Sequence, residues 1–418
     1  MTGRRSALAQ RREGMGMSQE ALAEALRVSR VTVYRWEKGD TEPRPYLRPK
    51  LARLLGVSIA ELAGLLTVSH PVDPPGIMET EESIEEQPGG DVQRREFLQG
   101  IAAIGVSSTV GRSFHARADD VGVSLAALRA GVDRATRLEQ GAQYTALTVL
   151  LPGLITHGRR LTVDATGHAA VDAARLLGTA RVVEAFVLVK QDRPADAQAA
   201  ATEAIALAHQ AGDDVLVGTA LRCLGETHMR DGSYQLACDL ALEGASHIER
   251  SGIVTREALA VQGAGLLTAA TACARAGDRV ASVDLLSAAG HVADQLRDDV
   301  VASVVFGPTN VAIHRVAVEV ELGDPAAAIR HSAGFRFQPR AGMDERQARY
   351  LIDVARAETA VGRGSEAIET LLHAESISPE EVRTHRLTRN VVKELTAGGD
   401  GPALPLRQLA ARSGIAEL

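Results

Sequence analysis

Helical stretches in this chain break at one kind of position at near-equal intervals, which leaves few folds open to it. Asp192, Gly232, Gly277, Gly323 and Gly362 each close a long run of apolar residues at 3–4 spacing, and another such run follows each of them. The intervals are 40, 45, 46 and 39 residues. Five positions beyond each break stands a small residue, Ala197, Ala237, Ser282, Ala328 or Ala367, which suits two helices crossing closely. Each unit therefore reads as one helical hairpin. Hairpins that cannot bury an apolar face alone stack into a solenoid. Tyr144, Leu147, Leu150, Leu151 and Leu154 predict a further hairpin near 120–165, and a helix over about 379–395 would cap the stack.

Composition agrees with packed helices. The 418 residues are 45% hydrophobic but only 3% aromatic, so the core is Ala, Leu and Val, whereas strands would call for more Tyr, Phe, Ile and Thr. The fold class expected is all-α. Cys223, Cys238 and Cys273 form no CxxC pair and read as small buried hydrophobes of a reducing compartment. No apolar run approaches the ~20 residues that span a bilayer.

A second, smaller pattern lies at 18–39, SQEALAEALRVSRVTVYRWEKG. Ser18 can cap one helix whose Ala21, Leu22, Ala25 and Leu26 share a face. Arg27-Val28-Ser29 breaks the pattern, and Ser29 can cap a second helix with Val33 and Trp36 turned inward and Gly39 as its stop. Arg30, Val31, Thr32, Tyr34, Arg35 and Lys38 are left on the outer side, a face of cations, an aromatic and a hydroxyl. Such a helix can read base edges in a major groove. Ala7 and Leu8 before it, Leu51, Leu54 and Leu55 after it, and Leu62, Leu65 and Leu66 behind the Ser58-x-x-Glu61 capping box would close its core.

These residues resemble the helix-turn-helix domain of the XRE class, the Cro and lambda-repressor type of bacterial regulator, over about 4–66. Ala23 falls where its two helices cross, and Gln19 opens the first. Arg27 takes the turn position most often held by Gly, at a cost of about 1 kcal/mol if φ is positive. The resemblance implies that Arg30, Val31, Thr32 and Arg35 face bases, while Gln19, Tyr34, Lys38 and Arg44 hold phosphates. Charge points the same way. Residues 1–66 carry twelve Lys or Arg against seven Asp or Glu, whereas the whole chain is −7. A basic module on an acidic body concentrates phosphate attraction in one place. One such module reads few base pairs, so a homodimer on a two-part site of double-stranded DNA is expected.

Between the two patterns, residues 67–93 hold seven acids, four Pro, three Gly and no Lys or Arg, the composition of a tether. Arg94-Arg95-Glu96-Phe97-Leu98 and the apolar stretch after it resemble a twin-arginine export signal. Their position behind a folded domain favours instead a short docking helix with Phe97, Leu98, Ile101 and Ile104, within a connector over 94–118.

The array at 119–397 resembles degenerate tetratricopeptide repeats, and 398–418 read as a tail. The resemblance implies a concave surface for a peptide, a small molecule or a protein partner. Phe306-Gly307-Pro308-Thr309-Asn310 should start a helix that sets Asn310, His314 and Ala317 on one face. Asn310 and His314, with Arg222, Glu226 and Arg349, are the candidate effector residues. No zinc, P-loop, GxSxG or dinucleotide motif appears, so no catalytic residue, metal or cofactor is expected. The reading is a cytoplasmic, nucleoid-associated regulator without membrane contact. The alternative is a non-catalytic scaffold that uses both domains on protein; the exposed Arg30, Arg35, Lys38 and Arg44 favour the first, since protein-docking faces are more often apolar.

Overall fold

The structure, a computed structural model, describes residues 6–26, 30–38, 43, 48–57, 59–66, 118–296, 300–301, 304–397 and 404–415. Arg27, Ser29, Gly39, Arg44, Ser58, the 67–93 tether and the 94–104 docking segment lie outside the described residues. The chain divides into two compact units, Met1–Val92 and Gln93–Leu418. The fold is all-α.

Among the described residues of the first unit, five helices surround one small core: α1 (Ser6–Gly14), α2 (Gln19–Leu26), α3 (Arg30–Lys38), α4 (Arg48–Leu55) and α5 (Ile59–Leu66). Ser18 Oγ accepts the Ala21 N–H at 3.0 Å, so the expected cap starts α2. Leu8, Leu22, Ala23, Leu26, Val33, Trp36, Leu51, Leu55, Leu62 and Leu66 form the core. Two expected core positions differ. Ala7 and Ala21 are exposed, because the longer leucines one position away already fill the space between helices. Arg11 closes α4 from outside, its Nε and Nη2 donating to the carbonyls of Leu55 and Gly56 at 2.7 and 2.8 Å. Those are the acceptors a helix C-terminus leaves unpaired.

The described part of the second unit opens with α6 (Ala118–Gln140) and α7 (Tyr144–Asp164). Three hairpins follow: α8 (His168–Lys190) with α9 (Pro194–Ala211), α10 (Asp214–Arg230) with α11 (Tyr234–Ser251), and α12 (Arg256–Arg275) with α13 (Arg279–Leu296). A two-stranded antiparallel ribbon, β1 (Val300–Val301) and β2 (Val305–Phe306), pairs Val300 with Phe306 and Val301 with Val305. It leads into α14 (Pro308–Glu321) and α15 (Pro325–Ala333), then α16 (Asp344–Ala360) and α17 (Gly364–Ile377).

The recurring break is one structural device. Asp192, Gly232, Gly277, Gly323 and Gly362 all have positive φ, between 60° and 87°. In each case the next N–H reaches back five residues to a carbonyl: Arg193 to Leu188, Ser233 to His228, Asp278 to Cys273, Asp324 to Glu319 and Arg363 to Glu358, at 2.8–3.0 Å. This is the Schellman closure of a helix. Ala142 (φ 51°) repeats it between α6 and α7, with Gln143 bonded to Leu138. Ala197, Ala237, Ser282, Ala328 and Ala367 are fully buried where the following helix crosses back. A Cβ added to Gly225 would stand 2.8 Å from the Ala237 carbonyl, so the two helices of that hairpin touch backbone to backbone. Cys238 and Cys273, on neighbouring hairpins, bring their sulfurs to 3.0 Å within the core.

The end of the array departs from the single helix expected over 379–395. Extended backbone at His385 divides it into α18 (Pro379–Thr384) and α19 (Arg386–Ala397). Within the stretch read as a tail, Leu404–Arg412 forms α20. Leu406, Leu409 and Ala410 enter the same core as Leu371, Val382 and Val391, and Arg412 grips the Glu375 carboxylate through Nε and Nη2 at 2.7 and 2.5 Å.

Candidate functional site

In the first unit the described contacts fix α3 against α1 and α2. Arg12 and Glu37 are buried and joined by two bonds, Nε to Oε1 at 2.6 Å and Nη2 to Oε2 at 3.3 Å. Gln19 Nε2 donates to the same Glu37 Oε2 at 2.7 Å, and Arg12 Nη1 to the Met17 carbonyl at 2.7 Å. One carboxylate on α3 thus locks the crossing angle of the two helices. Gln19 keeps only part of its amide for a phosphate. The sequence reading missed Arg12 and Glu37, since a single Arg and a single Glu on different helices carry no spacing signal. Tyr34 is 42% exposed, with the Lys38 ammonium 5.2 Å from its ring centre, so a cation and a hydroxyl share one outer patch. Arg30, Val31, Thr32 and Arg35 belong to α3, with their side chains outside the described residues, as is all of Arg44.

The second unit holds a partly open cavity of about 160 Å³, lined by residues from α6, α7, α8, α10, α12, α14 and α16 and by residues 385–387 of the cap. Four of the five candidate effector residues border it: Asn310, His314, Glu226 and Arg349. The fifth, Arg222, stands just behind. It is buried, contacts the Glu226 carboxylate, and lies 5.1 Å from the centre of the Phe186 ring, itself part of the wall. Asn310 is 2% exposed. Its Nδ2 donates to the Val305 carbonyl at 2.8 Å, while its Oδ1 is buried without a donor. Half of that carboxamide anchors β2 to α14, and half is unspent. His314 Nδ1 sits 2.9 Å from the Asn310 carbonyl.

Around these residues runs a charged girdle. Lys190 Nζ donates to both oxygens of the fully buried Glu381 at 2.7 Å and to Glu345 at 3.2 Å. Tyr144 Oη donates to Glu381 Oε2 at 2.6 Å. Burial pushes the Glu345 carboxyl up, but Arg346, Lys190 and Arg349 outweigh it and bring it down to about 2. Burial lifts Glu139 to about 7, only partly opposed by Arg346. Burial lowers His314 to about 4, and together with Arg349 it holds His385 well below the usual imidazole range. The wall therefore carries two imidazoles held below their usual range and one carboxyl raised toward neutral pH.

The sequence did hold a signal for this girdle. Lys190, Arg230, Arg275 and Glu321 each stand two residues before a turn at 192, 232, 277 and 323, a charged position repeated once per hairpin. Of these, Lys190, Arg230 and Arg275 border the cavity. Glu381 and His385 had no such register. They come from the irregular cap, which only the closed stack brings opposite Tyr144.

Among the described residues there is no group of three or more His, Cys, Asp or Glu that could hold a metal ion, and no helix long and apolar enough to cross a membrane.

A half-buried Lys38 beside an exposed Tyr34, on a helix locked to α1 and α2, is an arrangement suited to a DNA-reading module. Residues 8–62 match the helix-turn-helix family model. The chain thus carries an XRE-family helix-turn-helix domain, the module of a DNA-binding transcription regulator. No tetratricopeptide family matches the helical region beyond it. A search of curated proteins finds no match to the chain.

Proposed function

We propose that this regulator binds a specific operator as a homodimer, and that its tetratricopeptide-like hairpin array senses an effector in the central cavity. The observation that carries the reading is the unspent Asn310 Oδ1, buried and without a donor, on the wall of a partly open cavity of mixed polar and apolar lining. A buried acceptor left unpaired costs about 1–3 kcal/mol, and a bound donor returns it. Because the cavity lies between hairpins tied together by the contacts of α7 with α18, a ligand inside it can bias the shape of the whole stack. Only a ligand that prefers one shape shifts it, so effector and operator affinities are reciprocally coupled. We read the chain as a cytoplasmic binding protein and not an enzyme, with Lys190, Arg275 and Arg346 of the cavity wall engaged in ion pairs and not arranged around a nucleophile.

Mapping bound sites across the genome supplies the operator, and titration of the full chain onto it gives the test. Arg30→Ala and Arg35→Ala should each cost roughly 1–3 kcal/mol on that site with little change on random duplex, whereas Lys38→Ala weakens all sequences alike. Failure of the full chain to bind duplex DNA at low salt would refute the operator reading. Light scattering tests assembly: a monomer both free and on DNA removes the homodimer.

A further inference from the structure

The charges on the cavity wall are matched almost everywhere except at one corner. Lys190 is held by Glu381 and Glu345, Arg346 reaches Glu345 at 3.2 Å, and Arg275 meets Glu321 at 3.2 Å. Arg230, Arg349 and Arg386 border the same cavity, at the end of α10, on α16 and at the start of α19. None of the three has a carboxylate in ion-pair contact among the described residues. Arg230 is half-buried. Its Nη2 donates to the Val189 carbonyl at 3.0 Å, and its Nε is buried with no acceptor. Arg349 spends Nη1 on His385 Nε2, an uncharged group, and although burial opposes it the nearness of Asp353, Glu381 and Glu345 raises its pKa, so it is the best compensated of the three. Arg386 is exposed and gives the corner an open side. Burial and then the nearness of Arg349 and Arg386 both lower the Arg230 pKa, the mark of like charges crowded together. The carboxylate of Asp192 opposes this without forming an ion pair.

A partly buried guanidinium among other guanidiniums is costly unless an anion joins it. We infer that Arg230, Arg349 and Arg386 form the binding corner for an anionic group of the effector, a carboxylate or a phosphate. The inference rests on the cavity reading above and narrows its ligand. A planar or tetrahedral oxyanion can take paired N–H bonds from guanidinium forks, which suits three arginines better than three lysines. Asn310 Oδ1 adds an acceptor on the same wall, so the ligand carries a donor as well as its charge.

The test is calorimetric titration of the full chain with inorganic phosphate and, separately, with citrate, at fixed ionic strength in chloride. Arg386→Gln is the main variant, since an exposed side chain without an ion pair has little part in the fold. Arg279→Gln, whose guanidinium pairs with Glu319 at 2.8 Å and does not border the cavity, is the control. Saturable binding of either anion, weakened roughly tenfold by Arg386→Gln and unchanged by Arg279→Gln, is the expected result. Whichever anion binds tells carboxylate from phosphate chemistry. Without anion, Arg386→Gln should leave the melting temperature unchanged or higher, because it removes repulsion on Arg230; a purely structural arginine would lower it. If neither anion binds, or both variants bind alike, the anion corner is wrong. The two readings also separate. An anion that binds through Arg386 yet leaves operator affinity unchanged keeps the corner and removes effector sensing. An effector that alters operator affinity and binds Arg386→Gln as tightly as wild type does the reverse.

Discussion

Tyr144 and Glu381 are separated by 237 residues and share a buried hydrogen bond of 2.6 Å. That bond joins the second helix of the unit to its cap. Glu380 reinforces it from outside by accepting the Thr145 N–H and hydroxyl at 2.8 and 3.1 Å. An open solenoid has contacts only between neighbours. This one is also tied from α7 to α18, and both residues' surroundings border the cavity.

Glu381 should therefore be the costliest polar residue to remove. Glu381→Ala leaves the Lys190 ammonium with Glu345 alone and the Tyr144 hydroxyl without its acceptor, and breaking a buried pair from one side costs about 3–5 kcal/mol. Tyr144→Phe leaves Glu381 with both of its Lys190 bonds and should cost about 1–3 kcal/mol. Denaturant unfolding of both variants checks the order; a smaller loss for Glu381→Ala would mean the closure is not held by this carboxylate.

The turns make a prediction with opposite signs. Ala142 and Asp192 occupy the left-handed position that Gly232, Gly277, Gly323 and Gly362 fill in the other hairpins. A side chain there costs about 1–2 kcal/mol, offset in part by the greater chain entropy of Gly. Ala142→Gly should raise stability by up to about 1 kcal/mol, and Gly232→Ala should lower it by at least as much. Equal effects of the two in thermal unfolding would remove the shared-turn account.

Much of this was legible in the sequence because it is local. The left-handed breaks, the small residues five positions on and the Ser18 cap each rest on a few neighbouring residues, and so does the core phase of α2 and α3. Asn310 and His314 were legible as one helical face, but not as the wall of a cavity. That needed Tyr144 to meet Glu381, a pairing that depends on the summed curvature of all the hairpins. His385 was read as part of one cap helix, yet its extended backbone splits α18 from α19 and turns its ring toward Arg349. No spacing rule marks such a break. The Leu404–Arg412 helix was missed because Gly399, Gly401 and Pro402 before it carry the composition of a tail.

The ribbon supports a test of packing. Phe306 is fully buried, and a Cβ on Gly263 of α12 would fall 2.0 Å from its ring. Gly263→Ala must push the ring away or tilt α12, at about 1–3 kcal/mol or somewhat more for an overpacked core. Asn310, whose Nδ2 holds the neighbouring Val305 carbonyl, would move with the ribbon. The double variant Gly263→Ala with Phe306→Leu should recover part of the loss. No recovery would show that Phe306 is not what the glycine accommodates.

Two cavity residues should give the unit opposite pH dependences that largely hide each other. His314 is lowered from 6.5 to about 4 by burial, so below pH 6.5 the unfolded chain takes up a proton that the folded one refuses. Stability is lost from this source as pH falls from 6.5 toward 4. Glu139 is raised from 4.5 to about 7, so between those values the folded state holds a proton that the unfolded chain gives up. Stability is lost from this source as pH rises from 4.5 toward 7. In the wild type the two slopes oppose one another between about pH 4.5 and 6.5, and Glu345, brought to about 2, acts mainly below that window. Single variants should uncover them. Glu139→Gln should gain on the order of 1–3 kcal/mol relative to wild type at pH 7.5 and little at pH 4. His314→Gln should improve on going from pH 7.5 to pH 5 by about 1–2 kcal/mol relative to wild type, whatever packing it loses at both. Denaturant melts of the three proteins at each pH give these differences directly, and parallel curves for wild type and Glu139→Gln would show that Glu139 ionises normally in the cavity wall.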